Sequence, residues 1–118
     1  ETGQAAERPM IAAVFVNRLR KNMMLQTDPT VIYGLGEQFD GNLRKRDLLT
    51  DTPYNTYTRT GLPPTPIALP SLASLAAATT PAPSDALYFV ARGDGSSHFS
   101  NSLPEHNRAV DKYQRGKP

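Results

Sequence analysis

Ile11, Val14, Phe15, Arg18 and Leu19 recur at three- and four-residue intervals, the spacing at which side chains share one helical face. Pro9 stands where a first helical turn tolerates proline, so the pattern predicts a helix over about 8–21, apolar on its Ile11/Phe15/Leu19 side. Thr27-Asp28-Pro29 reads as a second helix start, with Asp28 as N-cap, Pro29 at the first helical position and Gly34 as a left-handed stop. Asp51-Thr52-Pro53 repeats that start and Gly61 that stop, and Ser71 opens a further instance with Leu72, Leu75 and Ala76 as its apolar stripe. From Ala86 the pattern changes. Ala86-Leu87-Tyr88-Phe89-Val90-Ala91 is rich in strand formers, Gly93-Asp94-Gly95 supplies a turn, and His98-Phe99-Ser100 returns as a second strand. Pro104 to Gln114 reads as a closing helix. The expected fold class is α+β: mainly short helices with one small β-hairpin.

Composition narrows the function. The chain has 118 residues, one domain's worth, and seven of its eleven prolines fall in two groups, Pro53 to Pro70 and Pro81/Pro83, that mark rigid turns. Thirteen Lys+Arg against eleven Asp+Glu give a net charge of +2. The charges are scattered apart from Leu43-Arg44-Lys45-Arg46, so no nucleic-acid partner is expected. Cysteine is absent, which excludes a thiolate nucleophile, disulfides and cysteine-ligated metal. No apolar run approaches the roughly 18 residues of a membrane span, so this stretch is expected to be soluble. It opens Glu1-Thr2-Gly3, without an initiator Met or a signal peptide, as expected for a piece of a longer protein.

The usual chemical signatures are missing. His98 and His106 lack HExxH or comparable ligand spacing and read as a hairpin residue and a helix-face hydrogen bonder, so no metal is expected. Gly34-Leu35-Gly36 and Gly93-Asp94-Gly95 do not continue as phosphate-binding motifs, and none of the four lysines sits in an apolar setting suited to Schiff-base chemistry, so no cofactor is expected. What stands out is a set of polar residues in turns: Gln26-Thr27-Asp28-Pro29-Thr30 and Tyr54-Asn55-Thr56-Tyr57. Amides, hydroxyls and tyrosine rings on rigid turns supply the donors, acceptors and flat faces that a neutral, hydroxyl-rich ligand such as a sugar needs. The same residues serve equally as helix caps (Thr27, Asp28, Asn55) and as core tyrosines with a hydrogen-bonded tip.

Leu25-Gln26-Thr27-Asp28-Pro29-Thr30-Val31-Ile32-Tyr33-Gly34 resembles the LQTDPTVIYG signature of the YceG-like (MltG) family of bacterial endolytic murein transglycosylases. The resemblance continues, in order and spacing, through Asn17-Arg18-Leu19, Tyr54-Asn55-Thr56-Tyr57, Gly61-Leu62-Pro63-Pro64, Tyr88-Phe89-Val90 and Glu105-His106-Asn107. It implies that residues 1–118 are the C-terminal part of a YceG-like catalytic domain with lysozyme-like active-site logic. A single N-terminal helix anchoring the parent at the periplasmic face of the inner membrane, and a LysM-like subdomain, would lie outside this chain. The implied substrate is nascent peptidoglycan, cut internally at the MurNAc-GlcNAc β-1,4 bond, with peptidoglycan synthases as partners.

Glu1-Thr2 is similar to the end of the family's Glu-Lys-Glu-Thr-like stretch, which makes Glu1 the implied catalytic acid and base. Gln26, Thr27, Asp28, Tyr33, Tyr54, Asn55 and Tyr57 become the expected substrate-binding set, with Gln26, Asn55 and Tyr57 holding N-acetyl groups and Asp28 a helix cap rather than a second catalytic acid. As first residue, Glu1 carries an α-amino charge that favours the carboxylate, so the isolated chain is expected to be inactive. The chain departs from the family pattern at Thr65, where glycine is usual, and at Leu69-Pro70-Ser71, where Asn-Pro-Gly is common, so the loop over 63–71 is expected to have its own shape. The competing readings are a non-catalytic peptidoglycan-binding module and a pyridoxal-dependent lyase.

Overall fold

A computed structural model describes residues 4–114. The chain divides into two compact units, one built from residues 1–17 and 70–118 and the other from 18–69. As expected, the fold is α+β, with five α-helices and one two-stranded antiparallel sheet among the described residues.

The first unit holds most of helix α1 (Arg8–Arg20), helix α4 (Leu72–Thr79), strands β1 (Tyr88–Ala91) and β2 (Ser97–Ser100), and helix α5 (Leu103–Tyr113). The hairpin expected from the sequence is present and pairs Tyr88 with Ser100 and Ala91 with Ser97. Phe15 of α1 meets Phe89 edge-on at 6.1 Å, while His106 of α5 stacks on Tyr88 at 4.9 Å. Asn17 Nδ2 donates to the carbonyls of Ser84 (2.7 Å) and Ala86 (2.9 Å), which fixes the approach to β1. The Ser71 hydroxyl accepts from Ser74 N–H at the start of α4, and the Ser102 hydroxyl caps α5. The expected α4 stripe is not the buried one: Leu72 is 83% and Leu75 50% exposed, and the buried residue is Ala77. Only small side chains of α4 (Ser74, Ala77 and Ala78) line the cavity of about 260 Å³ that it shares with Ile11 and Phe15.

The second unit begins with the last turn of α1. Arg18 rather than Leu19 is buried there, because its guanidinium donates to the carbonyls of Met24 and Leu25, both at 3.1 Å. The helix ends in a Schellman arrangement: Asn22 is left-handed (φ 57°), Met23 N–H reaches Arg18 O and Asn22 N–H reaches Leu19 O. Helix α2 runs Asp28–Leu35, followed by a 3-10 turn at Gly36–Gln38, and helix α3 runs Lys45–Leu49.

Three expectations shift. The α2 cap position belongs to Thr27, with Asp28 already helical. The left-handed stop is Gly36 (φ 57°), and Gly34 stays inside the helix because Thr52 packs against its bare Cα. The expected helix from Asp51 to Gly61 is a run of turns, since the Asn55 carboxamide accepts from Tyr57 N–H (2.8 Å) and so offers the backbone an alternative to the helical ladder. Helix α3 was unforeseen; the Asp47 carboxylate accepts from Arg44 N–H (2.8 Å) at its start.

A Cβ at position 34 would run into Thr52 Oγ1. Gly34→Ala is therefore expected to destabilise the chain by about 2 kcal/mol, read as a lower urea midpoint with unchanged slope.

Candidate functional site

The two polar turn clusters meet in the second unit. Gln26 is exposed and left-handed (φ 54°), a conformation unfavourable for a residue with a Cβ. Its N–H donates to Thr56 O at 3.2 Å. The next peptide is tied into a closed ring of hydrogen bonds: Thr27 N–H donates to Thr56 Oγ1 (2.9 Å), Thr56 Oγ1 lies 2.8 Å from Thr30 Oγ1, and Thr30 Oγ1 donates to Thr27 O (2.7 Å). Since the Thr30 proton goes to Thr27 O, the Thr56 hydroxyl is the donor in the middle link. Thr30 and Thr56 are buried.

Beside this corner the Tyr57 phenol donates to Asp28 Oδ1 at 2.6 Å, a short charge-assisted bond. Tyr33, 47% exposed, lies with its ring 4.7 Å from that of Tyr54, forming an aromatic wall. Thr65 donates to Pro66 O (3.1 Å), so the Tyr54 phenol is the donor to Thr65 Oγ1 at 2.9 Å. The residue that departs from the expected glycine thus anchors the wall. A cavity of about 210 Å³ runs along the turns from Pro53 to Pro64, with Arg59 and Leu62 in its lining.

Asn55 differs from its partners. It is 0% exposed, Nδ2 donates to the carbonyls of Leu48 (3.1 Å) and Thr50 (2.7 Å), and Oδ1 accepts from Tyr57 N–H. It shapes the turn that presents Tyr54 and Tyr57 instead of facing a ligand. Gln26, Asp28, Tyr33, Tyr54 and Tyr57 remain on or near the surface, with Thr27 held half-buried in the ring. Glu1 lies outside the described residues. The sequence reading missed Thr30, Thr56 and Thr65; the first two sit inside the motifs already noted, but only their long-range contact reveals their role.

At the rim, Arg59 grips Asp51 through two bonds (2.9 and 3.0 Å), and the Thr58 hydroxyl donates to the same carboxylate at 2.7 Å. The Arg59 bonds foremost, then Thr58, hold the Asp51 carboxyl down to a pKa of about 2. In the other unit, His98 Nε2 stands 3.7 Å from Glu105 Oε1 and His106 lies against Tyr88. Among the described residues no group of three or more His, Asp or Glu is arranged to hold a metal, and no helix is long and apolar enough to cross a membrane.

This small α+β fold, with its polar corner and aromatic wall, falls into a known class: the YceG-like family profile matches residues 1–112, and the chain belongs to that family. It is 50% identical over 113 residues to a Bacillus subtilis protein named endolytic murein transglycosylase, covering 96% of this chain and 31% of that protein. A Streptococcus pneumoniae protein of the same name is 34% identical over 122 residues, covering 99% of this chain and 22% of that one. The crystal structure of a YceG-like protein from Listeria monocytogenes superposes with a TM-score of 0.77 at 51% identity, covering 86% of this chain and 32% of that chain. The chain thus spans a third or less of the length of these relatives.

Replacing Asn55 by Leu would strand the carbonyls of Leu48 and Thr50. It is expected to cost about 2–4 kcal/mol, measured by urea denaturation. For Asp51, a carboxyl-carbon NMR titration should give a midpoint near 2 instead of the ordinary 3.8. Because the folded value is depressed, the ion pair's contribution is complete above the ordinary carboxylate range and fades as pH falls toward 2. Arg59→Ala should return most of the midpoint toward 3.8.

Proposed function

We propose that the chain is the C-terminal part of the catalytic domain of an endolytic peptidoglycan lytic transglycosylase, cleaving the MurNAc-GlcNAc β-1,4 bond of nascent glycan strands to leave 1,6-anhydroMurNAc ends. The observation that carries the reading is the 50% identity, across 96% of the chain, to a protein of that name. The geometry supports it in a specific way. With the Asn55 amide consumed inside the turn, Gln26 is the exposed amide of the set, and it offers both the donor and the acceptor that an N-acetyl group requires. Tyr33 and Tyr54 supply an aromatic face for a sugar ring, and the Tyr57–Asp28 pair an oriented polar edge.

One carboxyl group suffices for this reaction. A hydrolase positions a second carboxylate to activate water. Here the muramyl C6 hydroxyl is the nucleophile. Glu1, as the neutral acid, gives its proton to the glycosidic oxygen as the C1–O bond breaks and GlcNAc O4 departs as a hydroxyl. The Glu1 carboxylate then takes the proton of the C6 hydroxyl as O6 bonds to C1, closing the anhydro ring and restoring the acid. Gln26 and Tyr57 hold the N-acetyl groups and steady the positive charge developing at C1, and Asn55 acts through the turn it shapes. In the longer protein, an anchoring helix and a LysM-like subdomain precede this part at the periplasmic face of the inner membrane, where peptidoglycan synthases supply the strands.

The test is mass spectrometry of uncrosslinked glycan strands incubated with the longer protein. Products should end in 1,6-anhydroMurNAc. Glu1→Gln should abolish them, a loss of at least about 10²-fold. Asp28→Asn should retain most turnover, because an asparagine oxygen still accepts from Tyr57. Reducing ends would show that water is the nucleophile, and intact strands would mark a binding module. The 118-residue chain alone is expected to bind strands without cutting them, since the α-amino charge beside the Glu1 carboxylate opposes its protonation.

A further inference from the structure

The ring of hydrogen bonds through Thr27, Thr56 and Thr30 begins and ends on one peptide. It consumes both the N–H and the C=O of Thr27, and it uses two hydroxyls that are 2% and 3% exposed. Each hydroxyl both donates and accepts within it, so each link polarises the next. The residue immediately before this peptide is Gln26, left-handed at φ 54° although it is not glycine. The residue immediately after is Asp28, whose carboxylate takes the Tyr57 phenol at 2.6 Å. Thr56 also accepts from Gln26 N–H through its own carbonyl (3.2 Å) and directly precedes Tyr57. One buried threonine therefore bonds Gln26, Thr27 and Thr30 and directly precedes Tyr57.

The local chemistry does not require this. A capping threonine normally turns its hydroxyl onto the backbone of its own helix. At α2, the Thr27 hydroxyl makes no cap bond to backbone but donates to Thr30 Oγ1 at 3.4 Å, and the hydroxyls that bond the Thr27 peptide belong to Thr30, one turn along, and to Thr56, 29 residues from Thr27. A backbone state that is unfavourable in isolation persists where its surroundings over-determine it, and such states gather at ligand sites.

We infer that Thr56, backed by Thr30, is the positioning residue of the glycan site: its hydroxyl locks the Thr27 peptide so that Gln26 is held left-handed, with its amide set beside the Asp28–Tyr57 pair for an N-acetylated sugar. The inference rests on the glycan reading above and adds two residues that need not touch the ligand. Valine has nearly the shape of threonine without the hydroxyl; serine keeps the hydroxyl. Removing the Thr56 hydroxyl breaks two of the three links and lets Gln26 relax to the extended region, which re-aims its side chain.

The experiment compares the wild-type 118-residue chain with Thr56→Val and Thr56→Ser. Two quantities are read by NMR: the Gln26 Cα and Cβ shifts, which report its backbone state without ligand, and the affinity for uncrosslinked murein strands freed of stem peptides. Thr56→Val should stay folded, lose the left-handed signature at Gln26 and bind about tenfold more weakly, the equivalent of one good buried hydrogen bond. Thr56→Ser should keep both properties within about threefold. If folded Thr56→Val keeps the Gln26 signature and the affinity, or if Thr56→Ser is as impaired as Thr56→Val, the positioning role falls while the glycan reading stands. If wild type shows the Gln26 signature but binds no strands, the glycan reading falls and the positioning role with it. Should Thr56→Val not fold, hydrogen exchange of wild type decides. Saturation with the same strands should slow exchange at the Thr27 amide about tenfold, and an unchanged rate would overturn the inference.

Discussion

Two buried hydroxyls hold the polar corner of this protein in place. The bonds that Thr56 and Thr30 make to the Thr27 peptide, together with the Gln26 N–H bond to Thr56 O and the Tyr57–Asp28 bond, tie the chain entering α2 to the turn carrying Tyr57. Leaving a buried donor or acceptor unpaired costs about 1–3 kcal/mol, and this ring satisfies four such groups at once. Exchanging either threonine for an apolar residue leaves its partners in the ring unpaired.

The same logic runs through the rest of residues 18–69. Helices there are short, and hydrophobic residue types make up only 38% of the sequence, so much of the closure falls to side chains that bond to backbone. Arg18 satisfies the carbonyls of Met24 and Leu25 where the chain reverses after α1. Asn55 satisfies those of Leu48 and Thr50 and folds its own turn back onto Tyr57. Glycine serves here by bulk: Gly34 lets Thr52 reach the α2 backbone. A polar loop region can thereby be rigid without a large core, provided that every buried polar atom is matched.

This arrangement explains where the sequence could be read and where it could not. Elements specified by local pattern came through: α1 from its periodic apolar residues, the hairpin from strand formers flanking Gly93-Asp94-Gly95, and α5 from the run that begins at Pro104. Elements decided by distant partners did not. Asp51-Thr52-Pro53 carries a sound helix-start signal, yet Asn55 diverts its amide to carbonyls seven and five residues back and to its own turn, so no helix forms. Leu19 was expected on the apolar side of α1, yet Arg18 is the residue buried there and Leu19 is 36% exposed. Of the candidate site residues, Gln26, Asp28, Tyr33, Tyr54 and Tyr57 all lie in one unit, as their two motifs suggested. The division between residues that face outward and residues that hold them was not, since Asn55 and Gln26 carry the same functional group and differ only in what surrounds them.

The charges around the polar corner are largely paired, which suits the proposed one-carboxyl reaction. A general acid must stay neutral until it gives up its proton, and a nearby free cation would favour its ionised form. In the second unit the cation bordering the cavity, Arg59, is matched by Asp51, and Arg44 by Asp40. Asp28, the carboxylate of the corner, is turned onto the Tyr57 phenol. What the corner offers a ligand is therefore amide, hydroxyl and ring surface with little uncompensated charge. A sugar ring needs that surface, and a developing oxocarbenium ion can be steadied by such dipoles without any fixed cation to repel it. Burying and pairing the polar groups thus does two things at once: it makes a small core sufficient, and it leaves the corner with little uncompensated charge.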